Sequence, residues 1–374
     1  MVWRLVLLRA LSLVALVFSC ITTAAEDPAH CADFRAGHKR IYWGDLHVHT
    51  AYSLDAYGYG TVKTPADAYR FARGHEIRLP DGSAVRLARP LDFTAVTDHA
   101  EWFDLMYVCT HPLFLDDPYC LTITEDSGPV TGAKVFAEYV IPTITLEKPA
   151  ITPLCNANSE LCDDASMSQW QRIQEQANAA YEPCQFTSFV GFEWSATPAS
   201  SHNHRNVIFA SENVTDRAID YIRYPSLDEF WEQLDNRCRP ENGCDAITIP
   251  HNSNMGDGFG FDVETENERS LERRARFERL VEIHQEKGSS ECLSPFGAQD
   301  EDDCGFENYL TYYSKPRKKR DFTEQEWEQM RRTYVRSLLI RGLAAYDDSG
   351  EHQHNPLQLG VVGSTDNHTA APGY

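Results

Sequence analysis

Residues 45–50 read DLHVHT, shortly after the apolar stretch IYW at 41–43. In an extended segment residues i and i+2 point to the same face, so the imidazoles of His47 and His49 project together. Two adjacent nitrogen donors are half of a metal site. The competing reading is an edge strand with two surface histidines, and the rest of the chain has to decide between them.

Seven apolar runs read as buried strands: IYWGDLHVH (41–49), LDFTAVTDH (91–99), FTSFVGFEW (186–194), NVIFAS (206–211), DAITIPH (245–251), LVEIHQ (280–285) and LQLGVVGSTDNH (357–368). Helical patterns alternate with them. TPADAYRFARG starts at Thr64 with Pro65 at the first helical position and stops at Gly74. A second helix is expected over about 166–181, a third behind Ser226 in SLDEFWEQLDNRC, and a fourth behind the Thr323/Glu326 capping box. Such alternation predicts parallel β/α units and a seven-stranded β/α barrel, with a hairpin insertion over 75–90 and a disulfide-pinned excursion over about 101–165, either roofing the mouth or lying on the surface.

Six of the seven runs end in or near His, Asp or Glu. In β/α barrels the strand C-termini gather at one mouth, which is where functional side chains lie. His47, His49, Asp98, His99, Glu193, His251, His284, Asp366 and His368 are therefore expected to converge on a multinuclear metal site. Imidazoles and carboxylates suit zinc, manganese or iron. Glu193, alone behind an apolar run, is the candidate for a carboxylate shared between two ions, unless it pairs instead with an arginine such as Arg205. Asp98 would orient a ligand imidazole or protonate a leaving oxygen. SHNHRN (201–206) adds His204 as a further ligand candidate and Arg205 as a candidate phosphate contact, although both stand before their strand, at the wrong end for the mouth unless they belong to the preceding loop. NSNMGDGFGF (252–261) is glycine-rich but lacks a P-loop ending.

HVHT, TDH, the later isolated histidines and DNH resemble, in that order, the motifs of the PHP superfamily, named for polymerase and histidinol phosphatase. YWGDLHVHTAYSLDA is similar to an exported branch of PHP-like bacterial proteins. The resemblance spans residues 42–368 and implies a distorted seven-stranded β/α barrel with two or three metal ions and phosphoester hydrolysis by a metal-bridged hydroxide. It makes His47, His49, His99, Glu193, His251, His284, Asp366 and His368 the ligands. Some members carry a further histidine eight residues after the first; here that position is Asp55. The same cluster could act on an amide or a sulfate ester, or bind metal without turnover.

Residues 1–25 carry Arg4 and Arg9 around LVLLRALSLVALVFSCITTAA and read as a secretory signal peptide; VFSC is a poor lipobox for acylation at Cys20. Removing the leader leaves 32 basic side chains against 56 acidic ones, a formal charge of −24, which disfavours nucleic acid and anionic membranes as partners. A small-molecule phosphoester is the expected partner, in the periplasm or outside the cell. Ten cysteines remain, and an even number in an exported chain argues for disulfides, neighbour pairing suggesting Cys109–Cys120, Cys155–Cys162, Cys238–Cys244, Cys292–Cys304 and Cys31–Cys184. Of two sequons, NVT (213–215) and NHT (367–369), the second is expected to stay unmodified beside His368. Ending six residues after His368 without a covering helix, the chain is expected to be a fragment or to need a partner surface there.

Overall fold

The computed structural model describes residues 39–124, 128–261, 263–298, 304–312, 315–349 and 355–374. The expected signal peptide, with the rival acylation site at Cys20, and Cys31 lie outside them. Residues 40–374 form one compact unit.

All seven apolar runs contain strands: β1 (Gly44–Asp45), β2 (Phe93–Ala95), β3 (Thr187–Phe189) continuing after Val190 as β4 (Gly191–Ala196), β5 (Asn203–Phe209), β6 (Ala246–Pro250), β7 (Leu280–Gln285) and β8 (Gly360–Gly363). They form three separate three-stranded sheets. β1, β2 and β3 are parallel; β7 pairs parallel to β8 and antiparallel to Gly288–Ser289; β4, β5 and β6 form the third sheet. Isolated parallel bridges join Val48 to Asn367, His99 to Glu193 and Thr248 to Glu278. Among the described residues the fold is mixed α/β, and no sheet closes into a barrel.

The third sheet corrects the all-parallel expectation. β5 runs antiparallel to both neighbours, with Glu193 opposite Asn206 and Asn206 opposite Ile249. Only seven residues separate Ala196 from His204 in the chain's return, too few for a helical crossover but enough for a reversal. Reversal brings the beginning of β5 to the end where β4 and β6 finish.

Helix Pro65–Ala72 has the Thr64/Asp67 capping box, and Gly74, at φ +87°, closes its C-terminal turn. Helix Leu227–Arg237 is capped by Ser226 with Glu229, and Glu324–Arg331 by Thr323 with Glu326; the apolar run behind the latter breaks and resumes as Val335–Ser349. The helix expected near 166–181 starts earlier, at Ser159, and ends at Ala180. Ile77–Arg78 and Ala84–Val85 form the expected hairpin. The excursion folds into short helices whose Ile123, Val135, Tyr139 and Ile144 are buried in the main core with Trp170, Phe192 and Trp231.

A smaller apolar cluster draws on all three sheets: Ala95, Ile208 and Ile249 are buried, and Leu46, Phe189, Ile247, Leu280 and Val362 pack against them. Four disulfides, Cys109–Cys120, Cys155–Cys162, Cys238–Cys244 and Cys292–Cys304, close loops of 6 to 12 residues as neighbour pairing suggested. The fifth expected pair includes Cys31, outside the described residues. No described helix is long and apolar enough to cross a membrane.

Candidate metal centre

Glu193 is the centre of the site. β4 is buried along its whole length, so its polar residue cannot reach solvent and must find partners inside. The carboxylate divides two sets of imidazoles. Its Oε2 lies 3.1 Å from His47 Nε2 and 3.2 Å from His49 Nε2. Its Oε1 lies 2.8 Å from His204 Nδ1, 3.3 Å from His251 Nε2 and 3.5 Å from His99 Nδ1. Asp366 Oδ1 closes the first set, 3.2 Å from both His47 Nε2 and His49 Nε2. Asp55 Oδ2 joins His99 Nε2 at 3.3 Å to His368 Nε2 at 3.2 Å.

The outer ring nitrogens are occupied, which aims the inner ones. His47 Nδ1 meets the Glu282 carboxylate at 3.1 Å, and Gln285 Nε2 donates to that carboxylate at 3.0 Å. His49 Nδ1 meets Ser53 Oγ at 2.8 Å, which in turn donates to Asp98 Oδ1 at 2.8 Å. His204 Nε2 meets Thr197 Oγ1 at 2.8 Å, and His368 Nδ1 meets the Asp366 carbonyl oxygen at 2.7 Å. Such outer partners are the usual means of fixing a ligand imidazole's tautomer and orientation.

Inside this frame, His49 Nε2, His251 Nε2 and Asp366 Oδ1 are buried with no hydrogen-bond partner. His49 Nε2 and Asp366 Oδ1 are only 3.2 Å apart, and His251 Nε2 is 3.3 Å from Glu193, yet these contacts lack hydrogen-bond geometry. Three buried polar atoms left short of partners would cost several kcal/mol, roughly 1–3 each. A cation between them removes that cost. Four overlapping triads are compact enough to hold one: His47, His49 and Glu193; Glu193, His204 and His251; His49, His99 and His368; and Glu286, Asp366 and His368. Glu193 belongs to two of the four.

The charge states divide the imidazoles into two groups. Burial opposes protonation of His47, His99 and His368, but the carboxylates facing them overcome it and raise His47 and His99 well above the ordinary imidazole value and His368 to about 10, so a cation bound there would displace protons. Burial pushes His204 down to about 4 despite Glu193, and burial with His47 nearby lowers His251, so both imidazoles are neutral, the form that ligates. Burial opposes ionisation of Glu193, but the charge on His99 and the hydrogen bond from His204 overcome it and hold the carboxyl well below its usual range. Asp366 is held low in the same way by His47 and Lys287.

The structure thus brings together His47, His49, His99, Glu193, His251, Asp366 and His368, together with Asp55 and His204. His204 reaches the centre because β5 is reversed, so the beginning of that strand is the functional end. Asp98 stands behind the cluster, accepting hydrogen bonds from the Thr50 amide at 2.6 Å, Thr50 Oγ1 at 2.7 Å and Ser53. With its oxygens so engaged it orients His49 and is not placed to protonate a leaving group.

Two expected site residues lie elsewhere. His284 is 41% exposed and pairs with Glu307 Oε2 at 2.9 Å. Where β7 meets β8, Val362 is opposite Glu282 but Gly363 is opposite His284, leaving Ile283 as an extra residue. A one-residue bulge exchanges the faces of the strand, so Glu282 and Gln285 point to the centre and His284 points out. Arg205 is 1% exposed and saturated: its Nε donates to Glu278 at 2.9 Å, Nη1 to the Asn203 carbonyl at 2.8 Å and Nη2 to the Gly260 carbonyl at 3.1 Å. It opposes Trp194, one position past Glu193, and so sits on the other face. Glu282, Ser53 and Lys287, whose Nζ lies against Asp366 Oδ2, were missed by sequence reasoning. Only Glu282 left a signal, as an acid inside an otherwise apolar strand.

Among known proteins, no curated protein and no solved structure matches this chain. Residues 36–374 match the family described as Protein of unknown function (DUF3604). That span holds every residue of the centre from His47 to His368, and with it nearly all of the described fold, so the chain belongs to the DUF3604 family.

Proposed function

We propose that this protein is an exported metal-dependent hydrolase of phosphoesters, with two or three divalent ions held around Glu193. One observation carries the reading: a single buried carboxylate faces two separate imidazole sets through its two oxygens, while neighbouring ligand atoms have no partner among the described residues. Two cations a few ångströms apart repel each other, and a shared carboxylate offsets that repulsion.

Bound divalent ions would supply an ionised water at neutral pH and neutralise charge developing on an ester's oxygens. The protein's own groups do the rest. Glu193 and Asp366 provide the negative charge, Glu282 and the Ser53–Asp98 pair aim His47 and His49, and Asp55 holds His99 against His368. Burial of His47 and His49 at 0% exposure keeps competing water from their inner nitrogens.

The PHP-like barrel is part of the same reading. Three isolated bridges link the edges of the three sheets, and one apolar cluster takes residues from all of them, which supports a ring of seven distorted strands with β3 and β4 as one. Four disulfides support an oxidising compartment.

The experiment is metal analysis of the purified protein alongside a panel of chromogenic phosphomonoesters, phosphodiesters, sulfates and amides. Two or more equivalents of zinc, manganese or iron with phosphoester turnover are expected. Turnover of amides or sulfates alone would move the reaction to another bond, and metal without turnover would make the protein a binding module.

A further inference from the structure

The centre is open on one side. His47 and His49 are sealed, whereas the side chains of Asp55 and His368 keep 17% and 21% of their surface. A cleft of 610 Å³ is built from the turn after β7, the Glu307–Tyr309 segment and the Ser364–Thr365 pair that leads into Asp366. It touches the centre twice: Glu286 Oε1 is 3.4 Å from His368 Nδ1, and Lys287 Nζ lies against Asp366 Oδ2.

We infer that this cleft is the leaving-group subsite of the hydrolase, that Lys287 contacts a phosphoryl oxygen, and that the substrates are monophosphate esters of uncharged, hydroxyl-bearing alcohols. The inference rests on the phosphoesterase reading and names the substrate class for it. Reaction at this site joins a water oxygen to phosphorus and breaks the ester P–O bond. The electron pair stays on the alcohol oxygen, which takes up a proton, so the products are inorganic phosphate and the alcohol.

An anionic phosphoryl group that reaches the proposed divalent ions from the cleft is held better with a further cation beside it in a protein this acidic, and Arg205 is sealed by Glu278 and backbone carbonyls. Lys287 is the only lysine or arginine among the described residues lining the cleft, and its side chain is 30% exposed, so it can turn from Asp366 toward a ligand. Lysine binds phosphate well as a point charge.

The rest of the lining limits the alcohol. Glu286 and Glu307 flank the cleft, and a second anionic group would stand beside both with no further lysine or arginine to meet it. Hydroxyls, by contrast, find acceptors in those carboxylates. Tyr309, 44% exposed, offers a ring face for the C–H side of a polyol. The volume is that of a small-molecule pocket, well beyond what phosphate alone fills.

The test uses full-length protein of measured metal content, titrated calorimetrically with inorganic phosphate and then assayed with an aldose monophosphate, the corresponding sugar bisphosphate and a phosphorylated amino alcohol. Lys287→Met should weaken phosphate binding about 10 to 100-fold, the range for a lost hydrogen bond to a charged group, while keeping its metal, and Lys287→Arg should recover part of the loss. The monophosphate should be the best of the three substrates. Unchanged phosphate binding by Lys287→Met, or loss of its metal, would overturn the role of Lys287. Preference for the bisphosphate or the amino alcohol would overturn the substrate class. Wild-type protein that neither binds phosphate nor hydrolyses any phosphoester would instead defeat the phosphoesterase reading itself.

Discussion

Two assemblies of buried charge meet the same sheet and are built on opposite plans. On one face of the β4–β6 sheet, Arg205 and Arg274 enclose Glu278, with Glu266 on Arg274 at 3.1 Å and backbone carbonyls taking the remaining guanidinium donors. Cation and anion alternate, and the Arg274 guanidinium lies 4.8 Å from the Trp231 ring. On the other face, Glu193, Asp366 and Asp55 are surrounded by imidazoles, and among the described residues His49 Nε2, His251 Nε2 and Asp366 Oδ1 have no hydrogen-bond partner. Burial alone therefore does not mark a functional site. A saturated network holds the fold, whereas donors that converge without satisfying one another are waiting for a ligand.

The largest expected effect tests the second plan. Glu193→Gln keeps the side chain's size and removes the shared charge. It should purify with less metal and lose activity by more than the roughly 10 to 100-fold that outer-partner changes cost, with its far-ultraviolet circular dichroism unchanged. Full metal and normal turnover would remove the centre from the site.

The first plan predicts the converse. Glu278→Ala strands Arg205 as a buried charge, leaves Arg274 with Glu266 alone, and should cost about 3–5 kcal/mol of stability, the range for breaking a buried pair, measured by denaturant unfolding. The metal content of the folded fraction should match wild type; loss of metal at equal stability would mean that the two assemblies are not separable.

Asp104 lies between the extremes, a buried carboxyl with Arg223 at 3.7 Å and Asp220 nearby. Burial, only partly offset by Arg223, pushes its pKa from the ordinary 3.8 up to about 7. An acid whose folded value is raised gives stability that is present below the unfolded value and lost as pH rises through the folded one. The expected consequence is a stability contribution falling between about pH 4 and pH 7, by roughly 2–4 kcal/mol. Asp104→Asn should flatten that part of the melting profile, and an unchanged slope would place the titration elsewhere.

A smaller loss is expected from Ser53→Ala, which cuts the link between Asp98 and His49 without touching a candidate ligand. Activity should fall about 10-fold with metal affinity reduced in parallel; no change in either would reduce Ser53 to a packing residue. The smallest effect belongs to His284→Ala, which should leave metal stoichiometry unaltered because the imidazole points away from the centre.

Much of this was legible because it is local. Disulfide partners 6 to 12 residues apart, the capping boxes at Thr64, Ser226 and Thr323, and the seven apolar runs each depend on residues close in the chain, and the sequence shows those directly. The same holds for the HVH pair and for Glu193, whose isolation in an apolar strand marked it as a polar group in need of partners.

What only the tertiary structure decided was direction and register. Whether His204 stands at the working end of its strand depends on β5 running against its neighbours, and whether His284 or Glu282 faces inward depends on one extra residue, Ile283, opposite β8. Arg205 is fixed by its register against Trp194 and by Glu278, 73 residues away. The sequence by itself determines which residues alternate along a strand. Which set faces the centre is set by pairing with strands far along the chain, because a side-chain period of two turns a single-residue shift into a change of face.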